Sequence, residues 1–271
     1  MLATAELHGV AASLVRDAED LTVGDLYLDG ADAYDAVSAT DRSEINEIIR
    51  MARGVTTPIL ELACGSGRLA LPLLAAGHRV VGVDNAPRMI ELFAERVSVR
   101  PRLADRLELI EADMAGLRCD RRFDLVYCGI TSITVLPDDA RRALFLNAGS
   151  HLTDDGRFVF SVLEIDGHGV DEHETVISAP CHGQTDLFVF FERVDHDARL
   201  RTVSILHQPL GPRGRRALYT TEVKLLDPDR LVGECQRAGL DVVAVRPVQE
   251  LPGRTVRAVE TRRSGSRRQR P

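Results

Sequence analysis

The chain has 271 residues, of which 44% are hydrophobic and 28% charged, and 34 Lys and Arg against 41 Asp and Glu give a formal net charge of −7. This balance is typical of a folded globular protein and excludes a disordered or fibrous one. The acidic charge argues against a surface that follows nucleic-acid phosphates. The only lysine is Lys224, so Schiff-base chemistry would depend on a single amine.

The cellular compartment is predicted from cysteines and hydropathy. The five cysteines are odd in number and form no CxxC pair, which favours a reduced, cytoplasmic protein without disulfides. No apolar run approaches the roughly 20 residues that a membrane span needs. The N-terminal residues lack a basic segment before an apolar one, so no secretory signal is expected.

Strand-like and helix-like segments alternate along most of the chain. Residues 10–37 are predicted to be helical, and Asp41 with Glu44 resembles a capping box for a helix that ends near Arg53. The next segments predict strands at 58–63, 79–83, 107–111, 123–128 and 156–163, with helices at 69–76, 87–97 and 138–151. This alternation predicts an α/β fold with a doubly wound, mostly parallel sheet.

The alternation breaks after Glu164. Residues 165–184 are rich in Gly, His and Asp and are predicted to form a loop, followed by strands at 186–194, 200–209 and 216–226. A helix that starts after Asp227 and strands at 240–246 and 254–260 then restore the α/β pattern. The insertion follows a strand's carboxyl end, where open α/β sheets bind ligands, so we expect it to cover a substrate.

Five segments therefore have predicted roles. They are an N-terminal helical cap at 1–57, a core at 58–164 and 227–260, an antiparallel insertion at 165–226 and a basic disordered tail at 261–271.

The glycine turn Glu61-Leu-Ala-Cys-Gly-Ser-Gly-Arg68 lies between a strand and a helix. Glycines let the backbone approach a ligand, and a helix N-terminus offers free N–H groups. The turn also fits a dinucleotide fingerprint, in which Asp84 would bind ribose. Glu61 would repel a pyrophosphate but attract an ammonium, and Asp113 can accept from an adenine amino group. These three acids predict S-adenosylmethionine (SAM) rather than a dinucleotide.

Together, ELACGSGR, VVGVDNAPRMIELF, LELIEADM and FDLVYCGITSI resemble the motifs of class I SAM-dependent methyltransferases. That resemblance implies a seven-stranded Rossmann-like sheet with the antiparallel insertion after its fifth strand. It also implies cofactor contacts from Glu61, Ala63, Gly65, Gly67, Arg68, Asp84, Asn85, Met89, Asp113, Met114, Cys128 and Gly129.

The insertion resembles that of small-molecule N-methyltransferases in natural-product pathways, especially amino-sugar dimethyltransferases and glycine/sarcosine-type enzymes. Sugar-type members carry a His where this chain has Val135, which argues against a sugar substrate. By the resemblance, Tyr34 is a candidate catalytic residue. Glu164 is a second candidate because it ends the fifth strand, where it could bind an ammonium or accept a proton. Candidate substrate residues are Tyr27, Thr131, Ser132 and His182.

The predicted activity is methyl transfer from SAM to an amine of a small molecule or short peptide, with S-adenosylhomocysteine as the other product. O-methylation with a base from Tyr34, Glu164 or an insertion His is the main alternative. An NAD(P)-binding oxidoreductase and a non-catalytic SAM sensor are the others. No metal site is predicted, because His168, His173 and His182 follow no recognised ligand spacing. The acidic charge and the lack of a long apolar run predict no nucleic-acid partner and no membrane partner. A homodimer through the insertion is left open.

Overall fold

The computed structural model describes residues 13, 16, 21–210 and 215–265. Contacts divide the chain into two compact units, one made of residues 1–41 and 167–225 and the other of residues 42–166 and 226–271. The division differs from the predicted one, in which residues 1–57 form one cap. Residues 1–41 fall with the inserted segment because the strand Thr22–Asp25 pairs with the strand Ala217–Lys224.

The larger unit contains helices and a seven-stranded sheet. Its helices are α2 (Ile45–Ala52), α3 (Ala70–Ala75), α4 (Pro87–Ser98), α5 (Pro101–Ala104), α6 (Asp138–Ser150) and α7 (Pro228–Arg237). Its strands are β2 (Ile59–Leu62), β3 (Val80–Asp84), β4 (Leu107–Glu111), β5 (Phe123–Cys128), β6 (Leu152–Ile165), β11 (Leu240–Leu251) and β12 (Arg254–Arg263). The sheet order is β11-β12-β6-β5-β2-β3-β4, and β12 runs in the opposite direction to the other six strands. The predicted mostly parallel α/β sheet is confirmed.

The central strands are buried on both faces, as parallel strands covered by helices require. All four residues of β2 are buried, and two separate apolar clusters include buried residues of β2 and β5. The strands β2, β3 and β4 pair in parallel register, so their carboxyl ends lie side by side. The turns that follow these strands are thereby brought together.

The smaller unit contains one described eight-residue helix and a five-stranded sheet. The elements are β1 (Thr22–Asp25), α1 (Ala31–Ser38), β7 (Val170–Cys181), β8 (Gln184–Asp195), β9 (Leu200–Gln208) and β10 (Ala217–Lys224). Their order is β1-β10-β9-β8-β7, and every pair except β1 with β10 is antiparallel. The predicted antiparallel insertion after the fifth core strand, β6, is confirmed.

Several sequence-based boundaries are wrong. The loop predicted at 165–184 contains β7, an edge strand whose exposed positions carry no alternating apolar pattern. The helix predicted over 10–37 is interrupted by β1, and most of residues 10–20 lie outside the described part. Residues 261–263, which were predicted to belong to the tail, lie in β12, which pairs with β6 as far as Thr261 and continues to Arg263. Residues 266–271 lie outside the described part.

The capping box predicted for Asp41 and Glu44 is also wrong. The helix α2 begins at Ile45, and Glu44 has a left-handed φ of 66° with no side-chain cap hydrogen bond. Its side chain is buried instead.

All five cysteines are free thiols. Within the described residues, no helix is both long and apolar enough to cross a membrane.

Candidate active site

The glycine turn after β2 has the backbone shape that its composition predicts. Ala63, Gly65 and Gly67 have φ values of 55°, 52° and 89°, a left-handed region that favours glycine. A Cβ added at Gly67 would lie 2.4 Å from the ring of Phe93 on α4, so close packing excludes a side chain there. At Gly65, by contrast, an added Cβ would meet only the Met89 sulfur, 3.9 Å away, among the described atoms. The turn is therefore packed below Gly67 and open at Gly65.

Asp84, at the end of β3, fixes this turn. Its Oδ2 accepts from the Gly65 N–H at 2.8 Å, and its Oδ1 accepts from the Ala86 N–H at 2.9 Å. Burial raises the pKa of Asp84, although these two hydrogen bonds oppose the shift. Asn85 beside it is exposed, and Met89 on the next helix is buried. The sequence predicted that Asp84 ends this strand, but it did not predict the hydrogen bond from the Gly65 N–H to the Asp84 carboxylate.

Glu61 is a buried carboxylate on β2. The residue is 2% exposed, and its Oε2 has no hydrogen-bond partner among the described residues. Burial raises its pKa to about 8, the nearby Glu44 and Asp84 carboxylates add to the rise, and Arg68 opposes it. A buried, unsatisfied carboxyl group is costly, and a cation beside it would stabilise its ionised form. The site thus favours a cationic ligand group.

Two arginines brace the glycine turn. The Arg68 guanidinium donates to the Ser43 carbonyl at 3.1 Å and to its hydroxyl at 3.3 Å. Arg96 on α4 donates to the Ser66 carbonyl at 2.9 Å and hydroxyl at 2.8 Å. Arg96 carries no local signal in the sequence, because its partner Ser66 lies 30 residues away and outside its helix.

Asp113 and Met114 lie in the turn after β4. The Asp113 Oδ1 accepts from the Ala115 N–H at 2.9 Å, and Met114 is buried in the apolar core. The backbone N–H of Ala112 donates to the Asp84 carbonyl at 2.9 Å, which ties this turn to the end of β3. The structure therefore brings Glu61, Asp84 and Asp113 to the carboxyl ends of three adjacent strands.

The turn after β5 is tight and strained. Cys128 is fully buried, which raises the pKa of its thiol. An added Cβ at Gly129 would lie 2.5 Å from side-chain atoms of both Leu69 and Tyr127, so the position requires glycine. Ile130 and Thr131 have φ values of 55° and 56°, a conformation uncommon for β-branched residues. Ser132 then begins a short 3₁₀ turn.

Glu44 lies against this turn, a role that its local sequence does not indicate. Its Oε2 accepts from the Tyr127 hydroxyl at 2.5 Å, and its Oε1 accepts from the Ile130 N–H at 2.9 Å. The Ser161 hydroxyl donates to Oε1 at 3.1 Å. Burial raises the pKa of Glu44, while these hydrogen bonds and the Arg68 charge oppose the rise.

The remaining sequence-predicted residues lie in other surroundings. Glu164, near the end of β6, forms an ion pair with Arg257 on β12. In the smaller unit, the Tyr27 and Tyr34 rings meet edge to face at 5.2 Å, and burial raises the Tyr27 pKa. The His182 side chain is 61% exposed and lies 3.9 Å from Asp32. The roles predicted for these residues stay predictions.

One set of potential metal ligands lies close together among the described residues. Atoms of Cys181, Asp186 and His207 lie within 4.8 Å of one another in the smaller unit. The Asp186 carboxylate already accepts from His207 at 2.8 Å and from the Leu210 N–H at 3.1 Å. These protein donors account for the buried charge without a metal ion.

A known protein family matches the region that contains the glycine turn. The family model described as a methyltransferase domain matches residues 59–156. The chain is also 33% identical over 129 residues to ribosomal RNA small subunit methyltransferase A of Anaeromyxobacter dehalogenans, a match that covers 47% of this chain. This match spans 41% of that relative, and a match to a mitochondrial relative from Arabidopsis thaliana spans 19% of it. The chain thus spans less than half the length of these curated relatives.

Solved structures match over most of the chain. The glycopeptide N-methyltransferase MtfA, in complex with SAM, is 27% identical with a TM-score of 0.60, covering 89% of this chain and 96% of that one. The sugar N-methyltransferase KedS8 from Streptoalloteichus sp. is 18% identical with a TM-score of 0.66, covering 83% and 90%. Residues 59–156 therefore match a methyltransferase domain, in a chain that has the fold of SAM-dependent methyltransferases.

Proposed function

We propose that the protein transfers a methyl group from SAM to an amine. The observation that carries this proposal is the buried Glu61 carboxyl, whose Oε2 has no partner among the described residues, near the glycine turn that is open at Gly65. An ammonium group of a bound ligand would satisfy that oxygen and favour its charge. SAM carries such an ammonium together with a ribose and an adenine, and the site offers three acids on adjacent strands.

Each part of the site has one proposed task. Glu61, Ala63, Gly65, Gly67 and Arg68 surround the methionine end. Asp84, Asn85 and Met89 lie at the ribose, and Asp113 with Met114 lies at the adenine. Cys128 and Gly129 line the cleft near the sulfonium. When bound, SAM supplies a methyl group that its sulfonium already activates, so the chain's work is to align the acceptor and exclude water.

The acceptor is proposed to be an amine of a small molecule or short peptide. A neutral amine needs no general base, whereas a hydroxyl usually needs one within hydrogen-bond reach. The candidate base Glu164 is engaged by Arg257, which favours an amine over a hydroxyl. The match to the glycopeptide N-methyltransferase MtfA over 89% of this chain supports the same choice.

The other site residues complete this proposal. Thr131 and Ser132 follow β5 and are proposed to face the acceptor. Tyr27 and His182 stay proposed substrate residues, and Tyr34 and Glu164 stay proposed catalytic residues, Glu164 through binding an ammonium rather than as a base. A cytoplasmic location, a homodimer and the absence of a nucleic-acid partner are proposals as well. The formal net charge of −7 supports a cationic amine over an anionic RNA.

The test is binding followed by transfer. Calorimetry with SAM and with NADH separates a methyltransferase from an oxidoreductase. Incubation with SAM labelled in its methyl group and a panel of amino sugars, amino acids and short peptides, read by mass spectrometry, then identifies the acceptor. Binding of NADH but not SAM would overturn the proposal. SAM binding without labelled product would favour a sensor.

A further inference from the structure

A buried carboxylate, Glu44, holds the turn that follows β5. The Glu44 residue is 4% exposed, and its two oxygens accept from three donors, the Tyr127 hydroxyl, the Ile130 N–H and the Ser161 hydroxyl. These donors lie 83 to 117 residues away along the chain. Glu44 therefore holds together segments that are distant in the sequence and does not cap its own helix.

The backbone that it holds would not keep this shape on its own. Left-handed φ angles cost free energy in residues with a Cβ, and both Ile130 and Thr131 adopt them. The Ile130 N–H donates to Glu44, and the Thr131 N–H donates to the Ser161 hydroxyl at 2.8 Å. Since that hydroxyl donates onward to Glu44, one hydrogen-bond network satisfies both strained residues.

The same segment also reaches the cofactor side of the site. Ser43, which precedes Glu44, accepts two hydrogen bonds from Arg68 of the glycine turn. The charge of Arg68 also opposes the rise that burial causes in the pKa values of Glu44 and Glu61. Residues 43 and 44 thus join the turn after β2 to the turn after β5.

We propose that Glu44 is a positioning residue for methyl transfer. It holds residues 129–132, here called the acceptor turn, in the strained conformation that presents Thr131 and Ser132, and it keeps this turn in register with the glycine turn. The inference rests on the proposed function, which assigns the acceptor to this edge of the sheet. Glu44 itself is enclosed by its donors, so it acts through the turn and not on the substrate.

The decisive variants are Glu44→Ala, Glu44→Gln and the control Asp124→Ala. Asp124 lies at the opposite end of β5, where its carboxylate accepts from the Thr57 N–H at 3.3 Å and the Thr153 hydroxyl at 2.9 Å. Both alanine variants remove a carboxylate that clamps a loop to the same strand. The glutamine variant keeps an oxygen for the Ile130 N–H, and its NH₂ can donate to the Tyr127 hydroxyl.

Hydrogen–deuterium exchange of the full chain reads out the acceptor turn without any acceptor. Glu44→Ala should speed exchange at residues 129–132 about tenfold or more, as the loss of a hydrogen bond to a charged group predicts. Glu44→Gln should restore most of the protection. Asp124→Ala should speed exchange near residues 56 and 57 and leave the acceptor turn unchanged.

Two further readouts separate positioning from simple destabilisation. Calorimetry should give a SAM dissociation constant for Glu44→Ala within about fivefold of the unchanged protein, since the main cofactor contacts remain. With the amine acceptor found in the labelled-SAM screen, kcat per folded molecule should fall at least about tenfold in Glu44→Ala but not in Asp124→Ala.

Unchanged exchange at residues 129–132 in Glu44→Ala would overturn the inference. Equal loosening of that turn in Asp124→Ala would overturn it too, because the effect would then be general. The failure of the proposed function looks different, since the unchanged protein would then bind no SAM, or would bind it and methylate no amine. If the unchanged protein methylates an amine and Glu44→Ala leaves exchange in the acceptor turn unchanged, only the present inference fails.

Discussion

Glu61 provides the sharpest test of the cofactor site, because its proton should leave when a cation arrives. Burial raises the pKa of this carboxyl to about 8, so at pH 7 about 0.9 of the ligand-free molecules carry the proton. A ligand ammonium beside the carboxyl favours the ionised form and lowers that pKa. SAM binding at pH 7 should therefore release up to about 0.9 proton per site from Glu61.

Calorimetry in buffers with different ionisation enthalpies measures this release. The observed binding enthalpy is plotted against the buffer's ionisation enthalpy at pH 7, and the slope is the number of protons exchanged. Glu61→Gln is the matched control, since it keeps the shape but has no proton to release. The difference between the two slopes should approach about 0.9 at pH 7 and shrink to about 0.1 at pH 9. Equal slopes at pH 7 would refute the role assigned to Glu61.

The same carboxyl should affect stability without ligand. Its folded-state pKa of about 8 exceeds the ordinary value of 4.5, so between these pH values the folded state binds one proton more than the unfolded state. The stabilising contribution is then complete below pH 4.5 and is lost as the pH rises towards 8. Compared with Glu61→Gln, the unchanged protein should lose up to about 1.4 kcal/mol of unfolding free energy per pH unit in this window. Parallel pH profiles for the two proteins in urea denaturation would contradict this.

Three further substitutions, two of them paired with a control variant, test the packing and the hydrogen bonds of the larger unit. Gly67→Ala should lower the unfolding free energy by about 2–5 kcal/mol, because the added methyl group would clash with the Phe93 ring and the backbone φ is unfavourable for alanine. The control Gly54→Ala has a φ of 76° but open space around it, so it should lower the unfolding free energy by only about 1–2 kcal/mol. Equal losses in denaturant titrations would disprove the packing argument. Arg141→Ala should lower the unfolding free energy by about 3–5 kcal/mol by the same method, because the fully buried Arg141 side chain pairs with the Glu234 carboxylate. The control Arg121→Ala removes an exposed pair with Glu108, so it should lower the unfolding free energy by less than about 1 kcal/mol. A small loss for Arg141→Ala would count against that pairing. Asp84→Asn should weaken SAM binding about 10- to 100-fold in calorimetry, because its amide group would face an N–H donor; unchanged affinity would exclude Asp84 from the site.

The parallel sheet and the glycine turn could be predicted because their signals are local. The four residues of β2 are mostly apolar and run directly into a glycine-rich turn. In the sequence, each of the three acids lies within its strand or just after it. Neighbouring parallel strands end at one edge, so the order of segments was sufficient to bring Glu61, Asp84 and Asp113 together. The local pattern thus predicts the cofactor side of the site.

Other features depend on distant partners or on exposed positions. Glu44 looked like a helix cap because its local spacing fits one, but its donors at Tyr127 and Ser161 lie 83 and 117 residues away. The strand β7 was missed because most of its residues are exposed, so it shows no apolar alternation. Such residues take their roles from tertiary contacts that a single sequence does not show.

The central claim, SAM-dependent methylation of an amine, is tested most directly by following the labelled methyl group. The full chain is incubated with SAM carrying a deuterated methyl and with the panel of amino sugars, amino acids and short peptides, with Asp84→Asn as the control. We predict a product whose mass rises by one labelled methyl on nitrogen, with S-adenosylhomocysteine formed in equal amount and both reduced in the variant. A labelled methyl found only on oxygen, or no labelled product despite bound SAM, would contradict the account.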